Sequence, residues 1–151
     1  MKKSLLLALG LAFSSSALAG ASTHVTVADP YVRLSPPSAV ATAAYMVLKN
    51  NGEAGVRLVK ASNPLSRTTE LHNHFNDNGV MKMRPVAAID IEPNGEMALK
   101  PGGLHVMMIG LQTPLREGDV IPITLTFDDG SDMLVNATVV RQGVRQAQRQ
   151  R

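Results

Sequence analysis

Short apolar runs, each ended by turn-forming residues, constrain the fold of this chain more than any other feature. The runs cover residues 24–28, 41–49, 56–62, 68–75, 80–86, 88–91, 96–99, 104–111, 120–127 and 133–140. We expect Asp29 and Pro30 to interrupt the chain after the first run, and turn signals rich in Asn, Asp, Gly and Pro separate the later runs. Turn signals recur at intervals of roughly 8–14 residues, and no window keeps a helical apolar period. The pattern predicts an all-β sandwich or barrel of short antiparallel strands.

The first 19 residues have the features of a secretory signal peptide. Lys2 and Lys3 precede an apolar stretch over residues 5–13, and residues 17–19 (ALA) provide a small-residue cleavage site. Cleavage after Ala21 is the second candidate. The apolar stretch is far shorter than the ~20 residues that a membrane-spanning helix needs. We therefore expect an exported, periplasmic protein with no segment that spans the membrane.

The chain that remains, about 130 residues, is long enough for one domain with its own core, which we assign to residues 20–140. Aromatic residues make up only 3% of the sequence, so Val, Ile, Leu and Met must fill that core. The sequence contains no cysteine. This excludes a disulfide framework, a thiolate metal site and thiol redox chemistry. Any metal must be held by His, Met, carboxylate or backbone groups.

The basic charge of the sequence lies at its two ends. The formal net charge of +3 falls to +1 without Lys2 and Lys3, and the four arginines of residues 141–151 leave the body at −3. The domain therefore lacks the basic stripe of a nucleic-acid-binding protein. Residues 141–151 contain too few apolar side chains to offset their ordering entropy, and we expect a disordered, solubilising tail. We expect the protein to be a monomer.

One segment, residues 70–111, concentrates the side chains that bind soft metals. It contains three of the four histidines and five of the eight methionines. Within it, His105 and Met107 are two residues apart in a strand-like run, so their side chains share one face of the strand. Val106 and Met108 point to the opposite face and are expected in the core.

The hairpin that precedes this run carries the other soft donors. His72 and His74 share a face of one strand, and Met81 and Met83 share a face of the next. If the turn is centred on residues 77–78, His72 faces Met83 and His74 faces Met81. A tighter type I′ turn, one residue later, places His74 opposite Met83. The residues leave the register open, but either register gathers imidazole and thioether groups on one surface.

Methionine and histidine elsewhere in the chain have simpler explanations. Met46, Met97 and Met133 are expected to fill gaps in the core, the usual role of this flexible side chain. His24 lies near the mature N-terminus, where it and an α-amino group could bind Cu(II) adventitiously.

The spacing of four of these residues is specific. Counted from His72, it is H-x10-M-x21-H-x-M, with GVMKMRPV and LKPGGLHVMMIGL around it. The pattern resembles that of the periplasmic copper chaperone family PCu(A)C, and the likeness extends from about residue 25 to residue 140. The resemblance implies a cupredoxin-like (immunoglobulin-like) β-sandwich in which His72, Met83, His105 and Met107 bind Cu(I). It favours His72 over His74 and leaves His74 and Met81 as secondary candidates.

The resemblance also implies a function without catalysis. Members of the family supply copper to the dinuclear copper site of cytochrome c oxidase, often alongside Sco-type thiol proteins. Some members carry a C-terminal extension rich in His and Met that adds a Cu(II) site. The tail of this chain offers only Arg and Gln donors, so the resemblance does not extend to that second site.

The donor chemistry agrees with copper and leaves three alternatives to consider. Two imidazoles and two thioethers suit Cu(I), whereas Zn²⁺ rarely takes Met. Blue-copper electron transfer needs a cysteine ligand, which this chain lacks. A hydrolytic zinc enzyme is the weakest alternative, because no acidic residue has a spacing that marks it as a general base. The second alternative is a periplasmic copper buffer or storage protein. The third is an exported β-sandwich that binds other proteins and has no physiological metal.

Overall fold

The computed structural model describes residues 20–141, and these residues form ten β-strands. The strands are β1 (Val25–Arg33), β2 (Ala41–Asn50), β3 (Val56–Ser62), β4 (Ser66–Asp77), β5 (Val80–Pro85), β6 (Ile89–Ile91), β7 (Glu96–Leu99), β8 (His105–Leu111), β9 (Val120–Phe127) and β10 (Asp132–Val140). One 3₁₀ turn at Ala21–Thr23 precedes β1, and no α-helix occurs in the described range. The predicted all-β class is therefore confirmed. The predicted signal peptide and all but the first residue of the predicted tail lie outside the described residues.

Strand β1 is longer than its sequence predicts. Ala28 pairs with Val47 and Tyr31 pairs with Tyr45, so β1 contains one residue more than β2 over this interval. The extra residue forms a β-bulge at Asp29, whose φ of 50° is left-handed. Asp29 and Pro30 interrupt the ladder as expected, and the strand continues beyond them because a bulge accommodates a proline that has no N–H to give to the ladder.

The strands form one continuous ladder in the order β5-β4-β8-β2-β1-β10-β9-β3-β6, with β7 paired to β2. The ladder folds over so that its two halves enclose a single core. All pairs recorded among the described strands are antiparallel, as predicted, except that β1 and β10 run parallel. No hairpin links these two strands, since they are the first and last of the domain, and so no short turn imposes an antiparallel direction on them.

Aliphatic and methionine side chains fill the core, together with one phenylalanine. Met46 and Met108 are fully buried, and Met97 and Met133 pack against the core from its border. Val106 is also fully buried, so the predicted core positions of β8 are confirmed. In the described part of the chain, no helix has the length and apolar character needed to cross a membrane.

Candidate metal centre

The β4–β5 hairpin adopts the tighter of the two predicted registers. Asn78 and Gly79 have φ angles of 52° and 85°, the left-handed values of a type I′ turn. The side-chain oxygen of Asn76 accepts the N–H of Gly79 at 2.7 Å and braces the turn. His74 consequently lies opposite Met83. The other register, in which His72 faces Met83, does not form.

Pairing between β4 and β8 brings the second half of the cluster onto the same face. His72 lies directly opposite His105, and Glu70 lies opposite Met107. Because positions two apart on a strand share a face, every predicted donor of the segment projects from this one surface. Met81 stands apart at the hairpin tip. It lies opposite Asn76 and is 56% exposed.

His105 and Met83 are in direct contact across the sheet. Nε2 of His105 lies 3.0 Å from Sδ of Met83. The other ring nitrogen, Nδ1, donates to the carbonyl oxygen of Gly103 at 2.9 Å. Because a carbonyl oxygen can only accept, this bond places the proton on Nδ1 and leaves the lone pair of Nε2 facing the sulfur. His105 is only 1% exposed, whereas Met83 is 42% exposed.

The environment of His105 keeps its imidazole neutral. Burial lowers the pKa of His105 below its usual value of 6.5, because a charged ring would lose its hydration. The hydrogen bond to Gly103 raises the pKa, while His74, His72 and Arg33 lower it by charge repulsion. A neutral imidazole is the form that binds a metal ion.

His72 is held by a different acceptor. Its Nε2–H donates to Oε2 of Glu70 at 2.6 Å. Its Nδ1 is buried, and the described residues offer that atom no hydrogen-bond partner. A carboxylate accepts the proton of Nε2, so the free lone pair of His72 resides on Nδ1. The ring centroids of His72 and His105 are 5.8 Å apart.

His74 lies as close to His105 as His72 does. Their ring centroids are 5.2 Å apart, and Nδ1 of His74 lies 3.3 Å from the carbonyl oxygen of Gly103. The carbonyl oxygen of Gly103, in the Pro-Gly-Gly turn, therefore lies within hydrogen-bonding distance of Nδ1 of both His74 and His105. The structure brings three histidines and Met83 together, with partly buried Met107 next to His105 along β8.

Sequence reasoning missed three contributors to this centre. Glu70 is two residues before His72 on β4, and strand parity could have placed both on one face. The role of the Gly103 carbonyl could not be read from side-chain types. Tyr45, whose ring centroid lies 6.1 Å from that of His105, depends on the register between β2 and β8. Burial raises the pKa of Tyr45, so its phenol stays protonated and neutral beside the cluster.

The cluster is a mixed set of nitrogen and sulfur donors. Among residues 20–141, no group of three or more His, Cys, Asp or Glu side chains is arranged to hold a metal ion. The contacts that do form join imidazole nitrogen to thioether sulfur.

Comparison with known protein families assigns the chain to one of them. The family model described as "Putative lipoprotein LpqE-like" matches residues 25–139, which run from the first residue of β1 to the last but one of β10. The chain belongs to the LpqE-like family.

Two curated relatives share about a third of their aligned residues with this chain. A protein of Leifsonia xyli subsp. xyli, described as "Putative lipoprotein Lxx21020", is 35% identical over 91 residues, which are 60% of this chain and 55% of that protein. The protein RP573 of Rickettsia prowazekii is 34% identical over 99 residues, which are 65% of this chain and 55% of that protein. The chain thus spans about half the length of these relatives.

Solved structures confirm the family resemblance and the fold. The solution structure of apo-DR1885 from Deinococcus radiodurans is 34% identical, with a TM-score of 0.63, and the match covers 94% of this chain and 95% of that one. The structure titled as its CuI form is 35% identical, with a TM-score of 0.59 and coverage of 85% and 84%. A copper-bound PCuAC domain from PmoF2, 19% identical with a TM-score of 0.66 and coverage of 78% and 93%, shares the fold. The predicted cupredoxin-like sandwich is confirmed, whereas the four-residue ligand set stays a prediction.

Proposed function

We propose that this protein is an exported copper chaperone, without enzymatic activity, that carries Cu(I) on His72, Met83, His105 and Met107. The observation that carries the proposal is the 3.0 Å approach of His105 Nε2 to Met83 Sδ. These two donors are 22 positions apart in the sequence and come from strands that are not adjacent in the sheet. A lone pair aimed at an exposed thioether has few structural uses, but it is the arrangement that a soft cation requires.

The chemistry of the donors supports copper in its reduced state. Thioethers favour Cu(I), whereas Zn²⁺ prefers thiolate, imidazole or carboxylate ligands. Both histidines are held by hydrogen bonds of the kind that orient metal-ligating imidazoles: His105 by the Gly103 carbonyl and His72 by the Glu70 carboxylate. Support also comes from the solution structure at 35% identity, whose title names a CuI form of DR1885.

We assign the primary role to His72 rather than to His74 for two reasons. The H-x10-M-x21-H-x-M spacing begins at His72. In addition, its Nδ1 is a buried nitrogen without a partner, whereas Nδ1 of His74 already reaches the Gly103 carbonyl. His74 and Met81 are then secondary ligands, available when copper arrives or leaves.

The proposed site suits a carrier that must release its ion. All four ligands are neutral, so no thiolate charge retains Cu⁺, and Met83 is exposed enough for a partner to approach. A partner richer in cysteine would bind Cu(I) more tightly and draw it away. We therefore propose delivery in the periplasm to the dinuclear copper site of cytochrome c oxidase, directly or through a Sco-type thiol protein. A copper buffer, with the same site but no transfer partner, is the second candidate.

Anaerobic competition for Cu(I) tests the ligand set. Replacing His72, Met83, His105 or Met107 with Ala should lower affinity more than the roughly 10–100-fold that loss of an outer-shell partner costs. Met83→Leu and Met81→Leu form a matched pair, because both residues are exposed on the same face of β5. Only the first should have a large effect. Unchanged affinity in all four Ala variants would refute the assignment.

Two further measurements test Cu(I) binding and copper transfer separately. X-ray absorption of the Cu(I)-loaded protein should show one copper with both nitrogen and sulfur scatterers. Mixing the loaded protein with the metal-free copper subunit of cytochrome c oxidase, with and without a Sco-type protein, should move the copper. Tight Cu(I) binding without transfer to either acceptor would favour the buffer.

A further inference from the structure

A second group of nitrogen donors lies among the first residues that the structure describes. The turn at Ala21–Thr23 leads to His24, whose side chain is exposed. The carbonyl oxygen of His24 accepts the N–H of Asn51 at 2.8 Å, which ties the backbone at this point to the sheet. Asn50, beside this corner, and Tyr45, beside the His–Met cluster, are separated along β2 by roughly 16 Å at the usual rise per strand residue.

The amide hydrogen bonds of this corner depend on the residues just before it. The N–H of Thr23 donates to the carbonyl oxygen of Gly20 at 2.9 Å, and the N–H of His24 donates to that of Ala21 at 3.1 Å. Cleavage of the chain after Ala21 would remove both acceptors. The two amide nitrogens next to the new N-terminus would then be free to take another partner.

The sequence permits cleavage at that bond. Residues 19–21 (AGA) have small side chains at both positions that a signal peptidase reads, as residues 17–19 (ALA) also do. After cleavage at the later position, the chain begins Ser22-Thr23-His24. A histidine in third place is the spacing at which an α-amino nitrogen, two backbone amide nitrogens and an imidazole nitrogen can enclose one metal ion in a plane.

We propose that export removes the chain through Ala21 and that the N-terminus Ser22-Thr23-His24 binds one Cu(II) or Ni(II) ion. The four donors are the amino nitrogen of Ser22, the amide nitrogens of Thr23 and His24, and Nδ1 of His24. Square-planar nitrogen coordination is the geometry that these two ions favour. The protons of the ammonium group and of the two amides pass to the solvent when the metal binds.

The surface around this corner favours a cation. His24 borders a cleft of about 740 Å³ that is also lined by Glu53, Asp128 and Asp129. None of the described residues that line it is Lys or Arg. The N–H of Ser22 donates to Oγ of Ser131 at 3.0 Å, and that hydroxyl donates to Asp129, so the residue that becomes the new terminus already lies beside the acidic turn. This proposal does not rest on the Cu(I) site, which uses other residues and another oxidation state.

The first test is the mass of the exported protein. The full chain, expressed with its leader and purified from the periplasm, should have the intact mass of a chain that starts at Ser22. A chain that starts at Gly20 would overturn the proposal, because His24 would then be in fifth place.

The second test is titration of that protein with Cu(II) and, separately, Ni(II). One equivalent should produce the visible absorption of a square-planar nitrogen complex, and for Cu(II) an electron paramagnetic resonance spectrum with nitrogen hyperfine structure. His24→Ala should abolish both signals by removing the imidazole. Thr23→Pro should abolish them by removing one amide proton, although His24 remains.

Two control variants keep the test specific. Ser22→Ala retains the amino group, both amides and the histidine, so it should retain the signals. His105→Ala removes a proposed Cu(I) ligand and should also leave the Cu(II) signals unchanged. Signals that persist in both His24→Ala and Thr23→Pro would place the Cu(II) elsewhere and refute the proposal.

Discussion

At the scale of single residues, the centre depends on which nitrogen of each imidazole carries the proton. The carbonyl of Gly103 holds the proton of His105 on Nδ1, and the carboxylate of Glu70 holds that of His72 on Nε2. The two rings therefore offer different nitrogens as lone-pair donors. Neither acceptor belongs to the proposed ligand set, yet each fixes which nitrogen of its imidazole carries the free lone pair.

Replacing Glu70 should weaken Cu(I) binding without removing a ligand. Glu70→Ala should lower the affinity roughly 10–100-fold, the usual cost of losing an outer-shell partner of a ligating histidine. Glu70→Gln keeps the shape but loses the charge, and its effect should be smaller. Competition titration measures the affinity, and ¹⁵N NMR of the metal-free imidazole should show His72 losing its preference for the Nε2–H tautomer.

A control for this experiment is Glu92→Gln, which removes an exposed carboxylate on the loop that follows β6. It should change neither the affinity nor the NMR signals of His72. If Glu70→Ala leaves the tautomer of His72 as it was, Glu70 does not orient this ring.

At the scale of elements, the β4–β5 hairpin is the least supported part of the site. Strand β5 is at the end of the ladder and pairs only with β4, and all six of its residues are exposed. Its position depends on the turn, on the ladder with β4, on an ion pair between Lys82 and Asp77, and on the contact of Met83 with His105. An edge of this kind can fray while the core stays folded, which would move Met83 towards or away from His105.

Gly79→Ala should therefore reduce Cu(I) affinity although it touches no donor. Gly79 has a φ of 85°, and a Cβ there would meet nothing within 4 Å, so the cost is the backbone conformation alone, about 1–2 kcal/mol. Hydrogen exchange of the β5 amides should become faster, and the melting temperature should fall by a few degrees, as a cost of this size implies. Asn78→Gly tolerates its own left-handed φ and should retain the affinity of the parent protein. Equal affinity in Gly79→Ala would show that the turn does not control the site.

At the scale of the whole molecule, adjacent residues of β8 lie in two different environments. Met108 is fully buried in the core, whereas Met107 is partly exposed on the opposite face beside His105. The alternation of faces along β8 therefore places Met108 in the core and leaves Met107 outside it. The consequence is that folding and copper binding should be separable by mutation.

Met107→Ala should reduce mainly the Cu(I) affinity, whereas Met108→Ala should reduce mainly the stability of the fold. Removing the buried Met108 side chain should lower the free energy of unfolding by about 2–5 kcal/mol, with Cu(I) affinity nearly preserved in the folded protein. Met107→Ala should change stability by far less and remove most of the affinity. Urea unfolding and Cu(I) competition on both variants measure the two quantities. A large loss of stability in Met107→Ala would mean that Met107 is a core residue and not a ligand.

Much of this molecule follows from local properties of the chain. The bounds of β3, β7 and β9 agree with their sequence patterns, because turn chemistry ends each strand. The sequence pattern within each strand also predicts which side chains lie on the face of the candidate site and which lie in the core. The first group is His72, His74, His105 and Met107, and the second is Val106 and Met108. Side chains alternate between faces in any extended strand, whatever it pairs with.

The tertiary structure decided the register of the hairpin and the neighbours of each strand, because both depend on pairing between distant segments. The turn at Asn78 and Gly79 selected the register that sets His74 opposite Met83, although two turns were compatible with the residues. The adjacency of β4 and β8 placed His72 opposite His105 and brought the Glu70 and Gly103 oxygens to the imidazoles. The sequence alone thus determined which side chains share a face. Only the folded sheet determined which atoms on that face meet, because register and strand order are set by packing of the whole core.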